Sequence, residues 1–267
     1  TDFVERILLK SIKNDISIYS IHTNLDAVHI GVNAKISEIL GLKNTKTLLP
    51  KEKILQKLAV FCPIEQAEKV RVAMCEAGAG NIGNYSDCSF STEGTGTFKG
   101  NENSDPFVGK KGELHSEKEV RIEVILPEYL TSKVISAMIG AHPYEEVAFD
   151  IFPLKNAFPM AGSGMMGELE NEMDEQDFLN FVKEKMQTKM IRHTSFLNRK
   201  IKKVAVCGGS GRFLLERAKA VGADVLITSD FKYHDFFDAD GKILVFDIGH
   251  FESEQFTMSL LSDWITK

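Results

Sequence analysis

Apolar and polar residues along the first 57 positions form a pattern that predicts a helix, a strand and a second helix. Residues 3–12 and 32–40 carry apolar side chains at helical spacing. Between them, residues 16–21 alternate in the manner of a half-buried strand, which would lead directly into His22.

Residues 58–156 have a different pattern of apolar and polar residues, which predicts elements in the order β-α-β-β-α-β. This order is typical of a ferredoxin-like α+β domain. We predict two of its strands on either side of a glycine-rich hairpin at residues 93–98. The alternating residues 120–125 form the strand after this hairpin, the remaining strands are predicted at 59–62 and 147–152, and the helices are predicted at 65–77 and 130–139.

Residues 157–267 begin with a glycine-containing segment that we interpret as a linker, followed by a helix at 174–186. From residue 201 onward, apolar strands alternate with helices. Repeated β-α units predict a parallel sheet that is covered on both faces. Such sheets bind ligands beyond the carboxyl ends of their strands, so candidate chemistry is sought there. The three strands are predicted at 204–207, 225–227 and 243–248.

Composition narrows the class of protein. A chain of 267 residues is long enough for two domains. The formal net charge of −6 argues against broad nucleic-acid binding, and no apolar run approaches the ~18 residues that would span a membrane. Cysteines without a C-x-x-C spacing argue against structural zinc and disulfides, and they fit reduced thiols in a cytoplasmic protein. They are Cys62, Cys75, Cys88 and Cys207.

Two segments place a carboxylate four residues after a histidine. His22 is followed by Asp26, and His250 is followed by Glu254. Each histidine comes after a predicted strand, so both pairs would emerge at one edge if the strands share a sheet. Imidazole and carboxylate groups suit Zn, Fe, Mn or Ni, and a carboxylate can bridge two such ions. A single pair of this kind is common by chance, so a metal site and an incidental hydrogen bond both stay open.

A further candidate follows the second strand of the β-α region. Asp230 comes directly after this strand, and His234 lies within the next short helix. Asp230 could serve the site or cap that helix. His234 could orient a metal ligand from outside the coordination shell or lie on the helix surface.

A glycine-rich turn lies between the first strand of this region and its helix. It contains Gly208, Gly209, Ser210 and Arg212. Backbone N–H groups of such a turn can face an anion, and Arg212 would add positive charge, as in a phosphate subsite. The alternative is a tight turn capped by Ser210, because the spacing matches neither a Walker motif nor a dinucleotide fingerprint. In the middle region, residues 142–146 (His-Pro-Tyr-Glu-Glu) could bind a metal or a partner.

These segments together resemble the NIF3-like dinuclear metal-centre proteins. Residues 22–26 (His-Thr-Asn-Leu-Asp) and 249–254 (Gly-His-Phe-Glu-Ser-Glu) resemble the signature segments of that family. Residues 208–211 and 229–235 resemble its two intervening segments. The middle region is similar to the PII/CutA-like insertion of the longer members, a likeness carried by residues 78–90 and 142–146.

The resemblance implies an α/β fold, in which a split NIF3-like α/β domain contains an inserted ferredoxin-like (PII/CutA-like) α+β domain. The expected bounds are 1–57 and 157–267 for the split domain and 58–156 for the insertion. Members assemble as toroidal homohexamers, which are trimers of dimers.

The resemblance also implies a site with two divalent metal cations. Asp26 would bind one cation, His250 the other, and Glu254 would bridge both. His22 would lie beside them as a catalytic proton carrier or as a weak ligand.

The sequence departs from the family pattern at both ends. The family has a His-His-Pro segment that supplies two further ligands, whereas only 21 residues precede His22 here and no His-His occurs. The family's last strand, beyond the final helix, is also absent. We therefore expect a fragment that carries half of the site and binds metal weakly.

Two functions follow from the resemblance. The first is a metal-dependent hydrolase, a GTP cyclohydrolase 1 type 2 homolog, that acts on a small phosphorylated or nucleotide-like substrate. The second is a non-catalytic regulatory or metal-handling hexamer with a PII-like sensor domain. Turnover that disappears on Glu254→Gln while the fold survives would favour the hydrolase.

Overall fold

Two β-sheets organise the chain, and each lies in a separate compact unit. The computed structural model describes residues 2–266, apart from the side chain of His22. One unit combines Thr1–Pro50 with Pro159–Lys267, and the other is Lys51–Phe158. The bounds predicted for the inserted domain, 58–156, lie within this second unit.

Both units combine α-helices with β-strands. The α-helices are α1 (Phe3–Lys13), α2 (Val32–Ile39), α3 (Ala67–Glu76), α4 (Thr131–Ala141), α5 (Glu175–Lys185), α6 (Leu215–Ala220), α7 (His250–Glu254) and α8 (Thr257–Ile265). The strands are β1 (Lys43–Lys51), β2 (Leu55–Pro63), β3 (Ser89–Lys99), β4 (Leu114–Pro127), β5 (Phe149–Pro153), β6 (Phe158–Asp174), β7 (Arg192–His193), β8 (Lys200–Ser210), β9 (Val225–Ser229) and β10 (Leu244–Asp247). Within residues 2–266, no helix combines the length and the apolar character needed to cross a membrane.

The sheet of the first unit has the strand order β1-β6-β8-β9-β10-β7. Strands β8, β9 and β10 are parallel, as the repeated β-α pattern predicted, whereas β6 and β7 join them antiparallel. The central segments of the three parallel strands, residues 204–207, 225–227 and 244–246, are apolar because both of their faces are buried. Val206 and Phe246 pack into one core with α5, and Ala205 and Val245 pack into another with α6.

The linker predicted at the start of residues 157–267 is wrong, because these residues form the long strand β6. The glycines that suggested flexibility instead allow β6 to approach neighbouring segments of the same chain closely. A side chain at Gly162 would overlap the carbonyl of Leu49, and a Cβ at Gly167 would lie 2.9 Å from the Cβ of Leu42. Met165 and Met166, on opposite faces of β6, are both buried.

The strand predicted at residues 16–21 does not form. These residues have no ladder pairing within the described chain, and Ile16, Ile18 and Tyr19 are exposed. Alternation indicates which side chains could share a face, but a strand also needs hydrogen-bond partners on a neighbouring strand. His22 accordingly follows an irregular segment and begins a short 3₁₀ helix, His22–Asn24.

The second unit is a four-stranded sheet of order β3-β4-β2-β5, with all neighbours antiparallel. Buried residues of β2 and β4, such as Val60 and Ile122, pack against α3 and α4 through Met74 and Met138. The elements follow in the order β-α-β-β-α-β, the order predicted from the sequence for this part of the chain. Its likeness to PII and CutA proteins stays a prediction.

The hairpin predicted at residues 93–98 is wrong, because β3 runs straight through this segment. Gly94 and Gly96 pair with Glu119 and Glu117 of β4, and the turn lies instead within residues 100–113. A glycine in a strand interior often marks a close approach rather than a turn. Here a Cβ at Gly96 would overlap the carboxylate of Glu119.

Candidate metal centre

The candidate site lies at the carboxyl ends of the three parallel strands. Gly208 and Gly209 are at the end of β8, Asp230 follows β9, and His250 begins the helix that follows β10. Because β8, β9 and β10 are adjacent and parallel, their ends lie at one edge of the sheet. Residues that are far apart in the sequence therefore meet there.

His250 is held between two carboxylates. Its Nδ1 lies 2.6 Å from Asp230 Oδ2, and its Nε2 lies 3.4 Å from Glu254 Oε1. Helix α7 puts His250 and Glu254 on one face because residues four apart are neighbours on a helix. The hydrogen bond with Asp230, assisted by the charges of Glu254 and Asp26, raises the pKa of the His250 imidazole.

Gly209 makes room for this pair. Its φ is +62°, and a Cβ at this position would overlap Glu254 Oε1 and lie 3.2 Å from His250 Nε2. Its N–H donates to Ser253 Oγ at 2.8 Å. Ser253 Oγ in turn donates to the carbonyl of His250 at 2.8 Å, which ties the glycine turn to α7.

Asp26 reaches the same region through the loop before α2. The side chain of Asn33, only 3% exposed, donates from Nδ2 to the carbonyl of Asp26 at 3.0 Å. The N–H of Gly208 donates to Asn33 Oδ1 at 2.9 Å. Burial, followed by the charges of Asp26 and Glu254, raises the pKa of Cys207 to about 12. The carboxylates of Asp26 and Glu254 therefore both lie close enough to Cys207 for their charges to influence its thiol.

Asp247 positions the backbone of the candidate site, a role that was not predicted from the sequence. This buried carboxylate accepts hydrogen bonds from the N–H groups of Phe231 at 2.9 Å and Gly249 at 3.2 Å, and it pairs with Arg192. Phe231 follows Asp230 and Gly249 precedes His250, so Asp247 fixes the backbone beside both. The available signal was a lone carboxylate at the end of an apolar strand.

Comparison with known proteins decides the family. The model of the family Duf34/NIF3 (NGG1p interacting factor 3) matches residues 1–267. The chain belongs to the DUF34/NIF3 family. The resemblance carried by residues 22–26 and 249–254 is therefore confirmed at the level of the family.

Relatives within the DUF34/NIF3 family are longer than this chain. A GTP cyclohydrolase 1 type 2 homolog of Bacillus subtilis (strain 168) is 44% identical over 248 residues, which are 92% of this chain and 66% of the relative. The chain thus spans about two thirds of the length of that relative.

Solved structures of the family agree with the fold. A Bacillus cereus protein related to NIF3 matches with a TM-score of 0.82 and 44% identity, over 97% of this chain and 70% of that one. A Staphylococcus aureus protein matches with a TM-score of 0.71 and 29% identity, over 99% of this chain and 71% of that one.

Arg212, a candidate anion ligand in this DUF34/NIF3 chain, is already paired with carboxylates. Its Nε donates to Asp235 Oδ1 at 3.2 Å, and its Nη2 pairs with Asp238. Two carboxylates therefore compensate its charge, which weakens the interpretation of the glycine turn as a phosphate subsite. The alternative, a helix cap by Ser210, is wrong, because Gly211 occupies the capping position and no side chain caps it.

Two candidate histidines are not part of the cluster that the structure describes. His234 lies in the 3₁₀ helix Tyr233–Ala239 and packs against the rings of Tyr233 and Phe237. It makes no hydrogen bond or ion pair with the described residues of the site. The catalytic assignment of His22 lies outside the described residues, because its side chain is not among them.

The donor set fits a borderline divalent cation in its chemistry, although its described part is incomplete. One imidazole nitrogen and the carboxylates of Asp26 and Glu254 are ligands that such cations accept. Within the described part of the chain, however, no three His, Cys, Asp or Glu side chains are arranged to hold a metal ion. The described residues of the site therefore do not form a complete set of metal ligands by themselves.

Proposed function

We propose that this chain belongs to a divalent-metal-dependent hydrolase. Asp26 would hold one cation, His250 a second, and Glu254 both, with Zn, Fe, Mn or Ni as the candidates. The observation that carries the proposal is the imidazole of His250, whose Nδ1 is engaged by Asp230 while Nε2 lies 3.4 Å from Glu254 Oε1. A metal-binding histidine commonly donates its other N–H to a carboxylate in this manner.

The chain's own residues would prepare the site for this chemistry. Asp230 would keep the His250 ring in one tautomer, with the proton on Nδ1. Gly209 would leave the space in front of Nε2 open, and Asn33 would keep the Asp26 loop against the end of β8. A bound divalent cation supplies Lewis-acid polarisation of a substrate oxygen. We further propose His22 as the group that carries a proton.

The proposed substrate is small and phosphorylated or nucleotide-like. A cavity of about 480 Å³ adjoins the site, and its lining includes Asp230, Gly249 and Lys189. Lys189 is exposed, and its charge suits an anionic substrate group, whereas Arg212 is compensated by carboxylates. The name of the Bacillus subtilis relative, a GTP cyclohydrolase 1 type 2 homolog, also supports a nucleotide-like substrate.

Metal content tests the ligand assignment. Plasma mass spectrometry of the purified chain, loaded with each candidate metal and desalted, should find bound metal that is lost in Asp26→Ala and Glu254→Ala. Glu216→Ala is the matched control, because Glu216 is an exposed carboxylate paired with Lys219 on α6. Metal content that is the same in all four proteins would overturn the assignment.

A non-catalytic regulatory or metal-handling hexamer is the second candidate. The observation that favours it is a cavity of about 650 Å³ wholly within the unit Lys51–Phe158. Turnover of a nucleotide substrate that disappears on Glu254→Gln, with the fold intact, would exclude this alternative. Metal binding without turnover across a broad substrate panel would support it. Light scattering would test the proposed homohexamer, a trimer of dimers, under either function.

A further inference from the structure

The unit Lys51–Phe158 has a cavity whose lining is both aromatic and acidic. The cavity, of about 650 Å³, is lined by β3 residues 92–99, by β2 through Phe61, by the β4 residues that face away from α3 and α4, and by residues near 100–107 and 144–148. Its size is that of a pocket for a small molecule. The aromatic residues of the lining are Phe61, Phe98, Phe107 and Tyr144.

Glu119 is the unusual member of this lining. Glu119 is only 8% exposed, and its Oε1 accepts a hydrogen bond from the hydroxyl of Tyr144 at 3.0 Å. Its Oε2 lies over Gly96 and has no hydrogen-bond partner among the described residues. Oε2 is not among the described side-chain atoms that are both fully buried and without a partner, so it is accessible from the cavity that Glu119 lines. A donor group inside the cavity would therefore reach this oxygen.

Two cationic side chains near Glu119 are paired with a different carboxylate. Lys57 and Arg121 both pair with Glu123, at 2.6 and 2.8 Å. His115 pairs with Glu117 at 2.8 Å. The lining as a whole contains five glutamates against two cationic side chains, Lys99 and Arg121. The cavity thus has an excess of negative charge, which favours a cationic occupant.

The rings of the lining select among cations. Those of Phe98 and Phe107 lie 6.0 and 6.2 Å from the ring of Tyr144, beside the buried carboxylate. Aromatic faces attract organic ammonium and guanidinium groups.

We propose that this cavity is a binding site for a small organic cation, an amine or guanidinium carried on a flat or aromatic body, with Glu119 as its anionic partner. Tyr144 would hold one carboxylate oxygen, and the cation would donate to the other. Gly96 would be required as glycine because Oε2 occupies the place of its side chain. The site uses no residue of the proposed metal centre, so either proposal can fail without the other.

Calorimetric titration of the full chain tests this site with two matched probes. Phenethylamine and 2-phenylethanol share one ring and differ in an ammonium against a hydroxyl group. We expect phenethylamine to bind at one equivalent per chain, about tenfold or more tighter than the alcohol. Glu119→Gln should remove most of this preference, whereas Glu117→Gln should keep it. Glu117 is the matched control, because it lies on the same strand outside the cavity lining.

A second variant covers the case in which Glu119→Gln fails to fold. Phe107 is exposed and lies outside the core, so Phe107→Ala should fold and still weaken binding of phenethylamine several-fold. Equal affinity for the two probes, no saturable binding up to about 10 mM phenethylamine, or indifference to both Glu119→Gln and Phe107→Ala would overturn the proposal. Metal content measured on the same samples should not change, which separates this result from the test of the metal centre.

Discussion

The imidazole of His250 and the carboxylate of Asp230 are joined by a hydrogen bond of 2.6 Å between Nδ1 and Oδ2. Asp230 makes this contact from a left-handed backbone conformation, with φ of +63°. The residue after β9 thus accepts a conformation that L-residues other than Asn and Asp rarely adopt. Asp is one of the residues that adopt this conformation most readily, so the residue type suits the backbone from which the contact is made.

Asp230→Asn should weaken metal binding by about 10- to 100-fold, because the amide cannot supply the charge that orients His250 and raises its basicity. Asn accepts the left-handed conformation, so the backbone should be preserved. Asp240→Asn is the matched control, because Asp240 also has a positive φ, of 52°, and pairs only with exposed Lys242. Isothermal titration with Zn²⁺ measures both variants. Equal affinities would contradict the orienting role of Asp230.

Gly209→Ala should abolish metal binding, because its methyl group would overlap Glu254 Oε1. Alanine is strained at the positive φ of this position, so the substitution should also lower the free energy of unfolding by about 1–2 kcal/mol. Gly222→Ala separates the two effects, since Gly222 has φ of +73° and nothing within 4 Å of its missing Cβ. Both variants should lose similar thermal stability, but Gly222→Ala should keep its metal. Metal loss in both would show that the backbone penalty alone disturbs the site.

Burial of Cys207 should make it the slow thiol in alkylation. Its pKa is raised to about 12, so about one thiol in ten thousand is ionised at pH 8, and the thiolate is the reactive form. Cys88 is partly exposed. Iodoacetamide at pH 8 should therefore modify Cys88 first and leave Cys207 intact until the chain unfolds in urea. Peptide mass spectrometry over time reads both rates, and equal rates in the folded chain would contradict the buried environment.

The parallel core was predictable from the sequence because its strands are continuous apolar runs. Val204–Val206 and Leu244–Phe246 carry no polar residue, and only strands covered on both faces allow this. The wrong predictions at 93–98 and 157–173 share one cause. Their glycines were interpreted as a hairpin turn at 93–98 and as a flexible linker at the start of 157–173, whereas Gly96 and Gly162 lie in strands that approach other atoms closely. Sequence alone does not distinguish these two uses of glycine.

The ligand types of the candidate site were predictable, but the residues that position them were not. Asp230 and His250 meet only because β9 and β10 are adjacent and parallel. Asn33 and Asp247 act through hydrogen bonds with backbone N–H groups. Such bonds leave no spacing pattern, because their partners are set by the tertiary fold. The structure identifies these positioning residues as buried polar side chains at the edge of the sheet where the site is expected.

The imidazole of His142 should make the unit Lys51–Phe158 less stable in acid. Its Nδ1 accepts from the N–H of Tyr144 at 3.1 Å, so the proton on Nε2 is donated to the carbonyl of Phe61, at 2.9 Å. The bond from Tyr144 needs the neutral ring, because Nδ1 accepts only when it carries no proton, whereas Nε2–H donates to Phe61 in either form. Burial lowers the pKa of His142 below the ordinary value of 6.5, although the Phe61 bond and the charge of Glu119 oppose this shift.

The sign of the pH effect follows from linkage. The unfolded chain titrates His142 near 6.5 and the folded chain at lower pH, so below 6.5 the unfolded state binds more protons. The stabilisation is therefore complete above 6.5 and declines as the pH falls toward the folded pKa. Hydrogen exchange of β2 peptides, corrected for intrinsic rates, should report weaker protection at pH 5 than at pH 8. His142→Gln should be less protected at pH 8 and lose most of this pH dependence; an unchanged profile would show that other groups cause it.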